Sequence, residues 1–66
     1  MIIHLNGNEV VVRELMTIAA VVAEQKLDPL SVVVEQNMHI VRRENWDTTV
    51  VGNGDQIELL SFVGGG

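Results

Sequence analysis

The chain contains no cysteine among its 66 residues. Disulfides, a thiolate nucleophile and a thiolate metal site are therefore excluded, and so small a fold must depend on packing. The absence also favours a reducing compartment. No basic segment followed by an apolar region opens the sequence, and no apolar run approaches the roughly 20 residues that cross a bilayer. We expect a cytoplasmic protein with no membrane contact.

Basic and aromatic residues are also scarce. Four Lys and Arg residues stand against nine Asp and Glu, the net charge is −5, and only 3% of the residues are aromatic. Such a chain repels phosphate backbones and offers few rings for base stacking, so no nucleic-acid binding is expected. His4 and His39 are far apart and lack ligand-type neighbours, so no metal site is predicted. No catalytic triad or phosphate loop is present, which argues against an enzyme.

The first segment, "MIIHLNGNEVVV", predicts a β-hairpin. Its strands run over Ile2–Leu5 and Glu9–Val12, and the intervening Asn-Gly-Asn tolerates the positive φ angles of a tight turn. Ile3 and Leu5 then share one face of the first strand, because side chains alternate along a strand.

The segment "TIAAVVAEQKLDP" predicts one amphipathic helix. Thr17 can cap its start and Pro29 is expected to stop it. Spacings of three and four residues place an inward stripe on one side, which packs on a sheet. That stripe consists of Ile18, Val21, Val22 and Gln25.

The segment "SVVVEQNMHIV" predicts a strand, a polar turn and a short extended piece. Val32 and Val34 point inward, the turn lies at Gln36 and Asn37, and residues 39–41 extend after it. The next stretch, "RRENWDTT", has no clean periodicity. We expect a turn of helix or an irregular loop there, with Trp46 filling the edge of the core.

The last strand is predicted over residues 56–63, after a turn at Asn53-Gly54-Asp55. Ile57 and Leu59 fall on one face of this strand. Leu60 and Phe62 fall on the opposite face, which one helix elsewhere in the fold leaves uncovered.

The order of hairpin, helix, strand, short strand, irregular turn and strand predicts an α+β fold. It is that of a ubiquitin-like β-grasp, a mixed sheet of four to five strands packed on one helix. We expect residues 1–63 to form this domain. Residues 64–66 are expected to form a flexible C-terminal glycine tail.

Several motifs together resemble the ThiS family, the sulfur carrier proteins of thiamine biosynthesis. These are the early "LNG", the helix capped at Thr17, the "QN" turn, the "VRRENW" stretch ending at Trp46, and "NGDQIELLSFVGGG" at the end. The resemblance extends over essentially the whole chain. Length, element order and terminal glycines make it specific in combination.

The resemblance implies that the C-terminal carboxylate, here that of Gly66, is adenylated and then converted to a thiocarboxylate. It implies a ThiF-type adenylyltransferase that uses ATP with Mg²⁺, a sulfur-donating desulfurase or rhodanese relay, and a ThiG-type thiazole synthase as acceptor. The chain itself then binds no cofactor. It acts as a protein cosubstrate rather than an enzyme, and is expected to be monomeric when free.

The residues themselves fit this chemistry. Gly64 and Gly65 lack β-carbons and so extend the reach of the tail through a narrow channel. The stretch from Ser61 to Gly66 can span about 20 Å when extended. The exposed pair Leu60 and Phe62 is the candidate partner-binding patch, and Glu58 could steer it toward a basic surface.

Three other interpretations remain open at this stage. The small subunit of molybdopterin synthase has a similar tail with a different acceptor, and a ubiquitin-like protein modifier forms isopeptide bonds with lysines. A structural domain with an inert tail is the third. The sequence alone does not separate these from the sulfur carrier.

Overall fold

Five strands and one α-helix make up the computed structural model, which describes residues 1–13 and 15–62. The strands and the helix, in chain order, are β1 (Ile2–Leu5), β2 (Asn8–Val11), α1 (Ile18–Glu24), β3 (Val32–Gln36), β4 (His39–Val41) and β5 (Gln56–Ser61). Two short 3₁₀ turns lie at Pro29–Ser31 and Arg43–Asn45.

The strands form one mixed sheet in the order β2-β1-β5-β3-β4. Strand β5 runs parallel to β1 and antiparallel to β3, while the β1–β2 and β3–β4 pairs are antiparallel. The predicted ubiquitin-like β-grasp is thus confirmed, with five strands. The last strand in the sequence occupies the middle of the sheet.

The first hairpin closes at Asn6 and Gly7, which have φ angles of 49° and 84°. Leu5 pairs with Asn8, so the loop holds two residues and both need the left-handed region. An Asn-Gly pair provides this at low steric cost, which explains the turn. The predicted hairpin is confirmed, with the second strand beginning and ending one residue earlier than expected.

Helix α1 begins as predicted. The Thr17 hydroxyl accepts a hydrogen bond from the Ala20 N–H at 3.1 Å, which satisfies one of the unpaired amides of the first turn. Ile18, Val21 and Val22 are buried against the sheet. The helix has seven residues, and no helix in residues 1–13 and 15–62 is long and apolar enough to cross a membrane.

The predicted end of the helix is wrong. Helix α1 stops at Glu24, because Lys26 adopts a left-handed φ of 58° and cannot continue it. Pro29 instead starts a 3₁₀ turn that the Asp28 side chain caps through the Leu30 N–H. Gln25 is therefore exposed at the helix end rather than part of the inward stripe.

One apolar cluster fills the space between the sheet and α1. Trp46 is 5% exposed, and its indole N–H donates to the Val41 carbonyl at 2.8 Å, so its predicted place at the core edge is confirmed. The buried members are Ile3, Leu5, Val12, Ile18, Val21, Val22, Val32, Val34, Trp46, Val51, Ile57 and Leu59.

Two substitutions in β5 separate the core face from the opposite face. Ile57→Ala removes a fully buried side chain and should cost about 2–5 kcal/mol in free energy of unfolding. Leu60→Ala, on the exposed face, should change it by less than about 0.5 kcal/mol. Urea denaturation monitored by Trp46 fluorescence measures both, and equal losses would contradict the assigned faces.

Candidate functional site at the end of the last strand

The predicted partner-binding residues lie on one face of β5. Glu58, Leu60 and Phe62 point away from the helix, while Ile57 and Leu59 point toward it and are buried. Leu60 is 50% exposed and Phe62 57% exposed. The predicted assignment of residues to the two faces of this strand is therefore confirmed. Leu60 and Phe62 are neighbouring apolar side chains that are both exposed to solvent.

Neighbouring strands enlarge this apolar surface. Val33 lies directly opposite Leu60, and Ile40 of β4 follows on the same face and is 65% exposed. We call Val33, Ile40, Leu60 and Phe62 the outer patch. The sequence reasoning missed Val33 and Ile40, although the inward Val32 and Val34 already required the residue between them to face outward.

Two carboxylates border the outer patch. Glu35 and Glu58 are directly opposite each other in the β3–β5 register. Within residues 1–13 and 15–62, neither has a cation within 4 Å, and the single ion pair there joins Arg42 to Glu44 at 3.8 Å on the exposed surface. Like charges at facing positions destabilise a sheet slightly. The border of the patch is therefore negative and uncompensated.

The end of β5 is held from both sides. The Phe62 N–H donates to the Ser31 carbonyl at 2.9 Å. On the other side the Asn6 carboxamide accepts from the Leu59 N–H at 2.7 Å and donates to the Leu59 carbonyl at 3.3 Å. The chain is thus held by hydrogen bonds as far as Phe62, and we call the segment from Leu59 to Phe62 the root of the tail. The predicted tail residues Gly64, Gly65 and Gly66 lie outside the described residues.

The start of β5 is fixed by the Asp55 carboxylate. It accepts hydrogen bonds from the Gly52 N–H at 2.7 Å, the Gln36 amide at 2.8 Å and the Asn37 amide at 3.0 Å. Burial raises the pKa of the Asp55 carboxyl, but the bonds from Asn37, Gly52 and Gln36 outweigh burial and bring it below its ordinary value. The charged carboxylate therefore ties the β3–β4 turn to the loop before β5.

The rest of the described surface has cavities but no cluster of metal-binding side chains. Two cavities of about 280 and 420 Å³ flank α1, and neither is lined by residues of the outer patch. Among the described residues no group of three His, Cys, Asp or Glu side chains could hold a metal ion. His4 and His39 lie on β1 and β4, with two strands between them. The outer patch and the root of the tail are the candidate site.

Comparisons with known proteins support one family. The family model described as "ThiS family" matches residues 2–66. The sulfur carrier protein ThiS of Bacillus subtilis is 34% identical over 97% of this chain and 98% of its own length. The crystal structure of the thiamine biosynthesis protein ThiS from Geobacter metallireducens covers both chains completely, with a TM-score of 0.84 and 33% identity.

Two thiazole synthases are also similar to this chain. That of Paramagnetospirillum magneticum is 36% identical over 94% of the chain, and that of Magnetococcus marinus is 35% identical over 97%. The chain spans only 19% and 20% of the length of these relatives. Most of each synthase therefore has no counterpart in the 66 residues.

The lowered pKa of Asp55 predicts how acid affects stability. Its contribution is fully present above the ordinary carboxyl range, about pH 4, and is lost as pH falls through the lower folded-state value. Asp55→Asn lacks this titration, so the stability difference between wild type and variant should shrink from pH 7 to pH 2. Urea denaturation across that range measures it. A difference independent of pH would contradict the assignment.

Proposed function

Since the chain belongs to the ThiS family, we propose that it is a sulfur carrier protein that supplies the sulfur of the thiazole in thiamine biosynthesis. The match over residues 2–66 carries this proposal, because it includes both the folded domain and the glycines after it. The B. subtilis sulfur carrier supports it, because the two chains correspond over nearly their full lengths.

In the proposed reaction the carboxylate of Gly66 is the reacting group, and it must be free. A carboxylate oxygen attacks the α-phosphate of ATP on a ThiF-type adenylyltransferase, releasing pyrophosphate and leaving an acyl adenylate. The terminal sulfur of a persulfide on a desulfurase or rhodanese relay then displaces AMP and forms an acyl disulfide, whose S–S bond a second thiol of the relay cleaves by disulfide exchange. The product is a thiocarboxylate at Gly66. The chain is a cosubstrate in this scheme, and ATP with Mg²⁺ belongs to the partner.

The geometry of the last strand suits such a role. Phe62 is the last residue held by a described hydrogen bond, and the four residues after it can reach at most about 14 Å. Gly64, Gly65 and Gly66 can pass through a channel too narrow for side chains. Ordering them costs roughly 1–2 kcal/mol per residue, so tail insertion requires a second contact that offsets this loss.

The outer patch is the surface that we propose for this contact. Leu60 and Phe62 lie directly beside the tail, and apolar side chains exposed together commonly mark interfaces. Glu58 and the facing Glu35 favour a basic surface on the partner, since no described cation neutralises them. Both partners must receive the same tail, so the adenylyltransferase and the synthase are expected to bind one at a time.

The proposed acceptor is a ThiG-type thiazole synthase. In the P. magneticum and M. marinus synthases, about a fifth of the polypeptide corresponds to this chain. A carrier-like segment and a synthase are thus joined covalently in two proteins, which supports an association between the separate chains. No comparable observation favours molybdopterin synthase or a protein modifier as the function.

Removal of Gly66 should abolish sulfur loading. Incubation of the wild-type protein with ATP, Mg²⁺, a sulfur donor and the adenylyltransferase should add about 16 Da, the mass of sulfur replacing oxygen. The chain ending at Gly65 should gain no sulfur, because its carboxylate stops about 3.3 Å short of the α-phosphate. Intact-mass spectrometry measures this, with urea denaturation as the folding control. Sulfur on the shortened chain would refute the proposed site.

Substitutions in the outer patch should weaken partner binding without unfolding the protein. Leu60→Ala and Phe62→Ala should each raise the KM of the adenylyltransferase for the carrier about tenfold, as expected for a central interface side chain. The value of kcat should change little. Val11→Ala serves as the matched control, because Val11 is 67% exposed on the same face of the sheet but two strands away. Equal KM values for all variants would contradict the docking role.

A further inference from the structure

The backbone of β5 directs its polar groups alternately to its two neighbours. On the β1 side the Asp55 carbonyl accepts from the His4 N–H at 2.8 Å, and the Ile57 carbonyl accepts from the Asn6 N–H at 2.9 Å. Leu59 uses both of its backbone groups on this side, with the Asn6 carboxamide. Odd-numbered residues of β5 therefore pair toward β1.

Ser61 is the next residue in this series. Phe62, one residue later, pairs on the other side with Ser31 of the turn before β3. The N–H and carbonyl of Ser61 therefore point to the β1 side, where the first hairpin has already turned away at Gly7. None of the residues that the structure describes pairs with Ser61 there, and the residue is exposed.

This open position differs from an ordinary sheet edge. Ser61 lies on the central strand of the sheet. At Leu59, the preceding residue that faces the β1 side, the Asn6 side chain makes the hydrogen bonds that a neighbouring strand would otherwise make. An N–H and a carbonyl on one residue, neither used by a described residue, form the donor and acceptor pair that a neighbouring strand would use. The group that fits both at once is the backbone of an extended segment.

We propose that an extended segment of the thiazole synthase adds to β5 at Ser61 as the tail enters its active site. This inference rests on the proposed function and identifies how that partner holds the tail. The synthase is the occupant because two thiazole synthases contain a segment corresponding to this chain in the same polypeptide. The added strand continues on the line of β1, beyond the point where the hairpin leaves the sheet.

Strand addition at this residue sets the depth of the tail. Ser61 precedes Gly66 by five residues, which span at most about 18 Å when extended. Backbone pairing fixes the position of Ser61 along the partner strand, because a change of register breaks both bonds. The position of the terminal carboxyl carbon is thereby limited without any side chain on the glycines.

Ser61→Pro tests the proposal, with Ser61→Ala as its matched control. Proline removes the N–H that has no described acceptor in the free carrier, so both variants should unfold at the urea concentration of the wild type. Ser61→Ala should bind the synthase of the same organism like wild type. Ser61→Pro should bind about tenfold more weakly in calorimetry. Phe62→Pro should lower the unfolding midpoint, because its N–H is used.

Hydrogen exchange of the Ser61 amide gives a second, independent measurement. By NMR this amide should exchange rapidly in the free carrier and be protected at least tenfold in the complex with the synthase. Equal affinities of the Ser61→Pro and Ser61→Ala variants would overturn the proposal. An unprotected amide, or protection only in the adenylyltransferase complex, would also overturn it. If Gly66 gains about 16 Da but the carrier does not bind the synthase, the proposed sulfur loading is supported and only the proposed strand addition is refuted.

Discussion

The central position of β5 is the constraint on which the rest of the structure depends. The strand has β1 on one side and β3 on the other, so its path is fixed from both sides from Gln56 to Leu59 and from the β3 side as far as Phe62. At an outer edge of the sheet the same strand would be held on one side only and could fray. A terminal group that must reach into another protein to a set depth requires that the strand from which it extends is held in place.

The central position of β5 also gives the two faces of the strand different roles. One helix covers one face of the sheet, so alternate residues of β5 meet either the core or water. Ile57 and Leu59 stabilise the fold, whereas Leu60 and Phe62 remain exposed. In the proposed function the same six-residue strand therefore carries the stability of the domain and the contact with its partners. Substitutions on one face leave the other largely unaffected.

Local patterns in the sequence predicted much of this arrangement. The period of two in the strands, the Asn-Gly turn and the Thr17 cap each act within a few residues, and all three are confirmed. The end of the helix was wrong because Pro29 forbids a helix beyond it but does not require one up to it. The left-handed Lys26, which does end the helix, has no signature in the sequence.

The sequence did not predict the contacts that fix β5, because they join residues far apart in the chain. Asn6 and Leu59 are 53 positions apart, and Gln36 and Asp55 are 19 apart. Only the folded chain brings these groups together. Ile40 of the outer patch was missed for a different reason, since its place on this face follows from the register of β3 with β4, whereas strand alternation already placed Val33 outward. The chemistry proposed for Gly66 rests on family membership and not on the fold.

The two carboxylates that border the outer patch fit the proposed carrier, which must leave each partner. Glu35 and Glu58 repel each other slightly in the free protein, and a basic partner surface relieves this repulsion during docking. Attraction of this kind speeds encounter more than it slows release. The apolar contact is also small, with four side chains in the outer patch, and small interfaces are typical of transient complexes. A larger apolar patch would bind the adenylyltransferase more tightly and delay transfer of the loaded tail, so in the proposed cycle a modest patch with a charged border favours turnover.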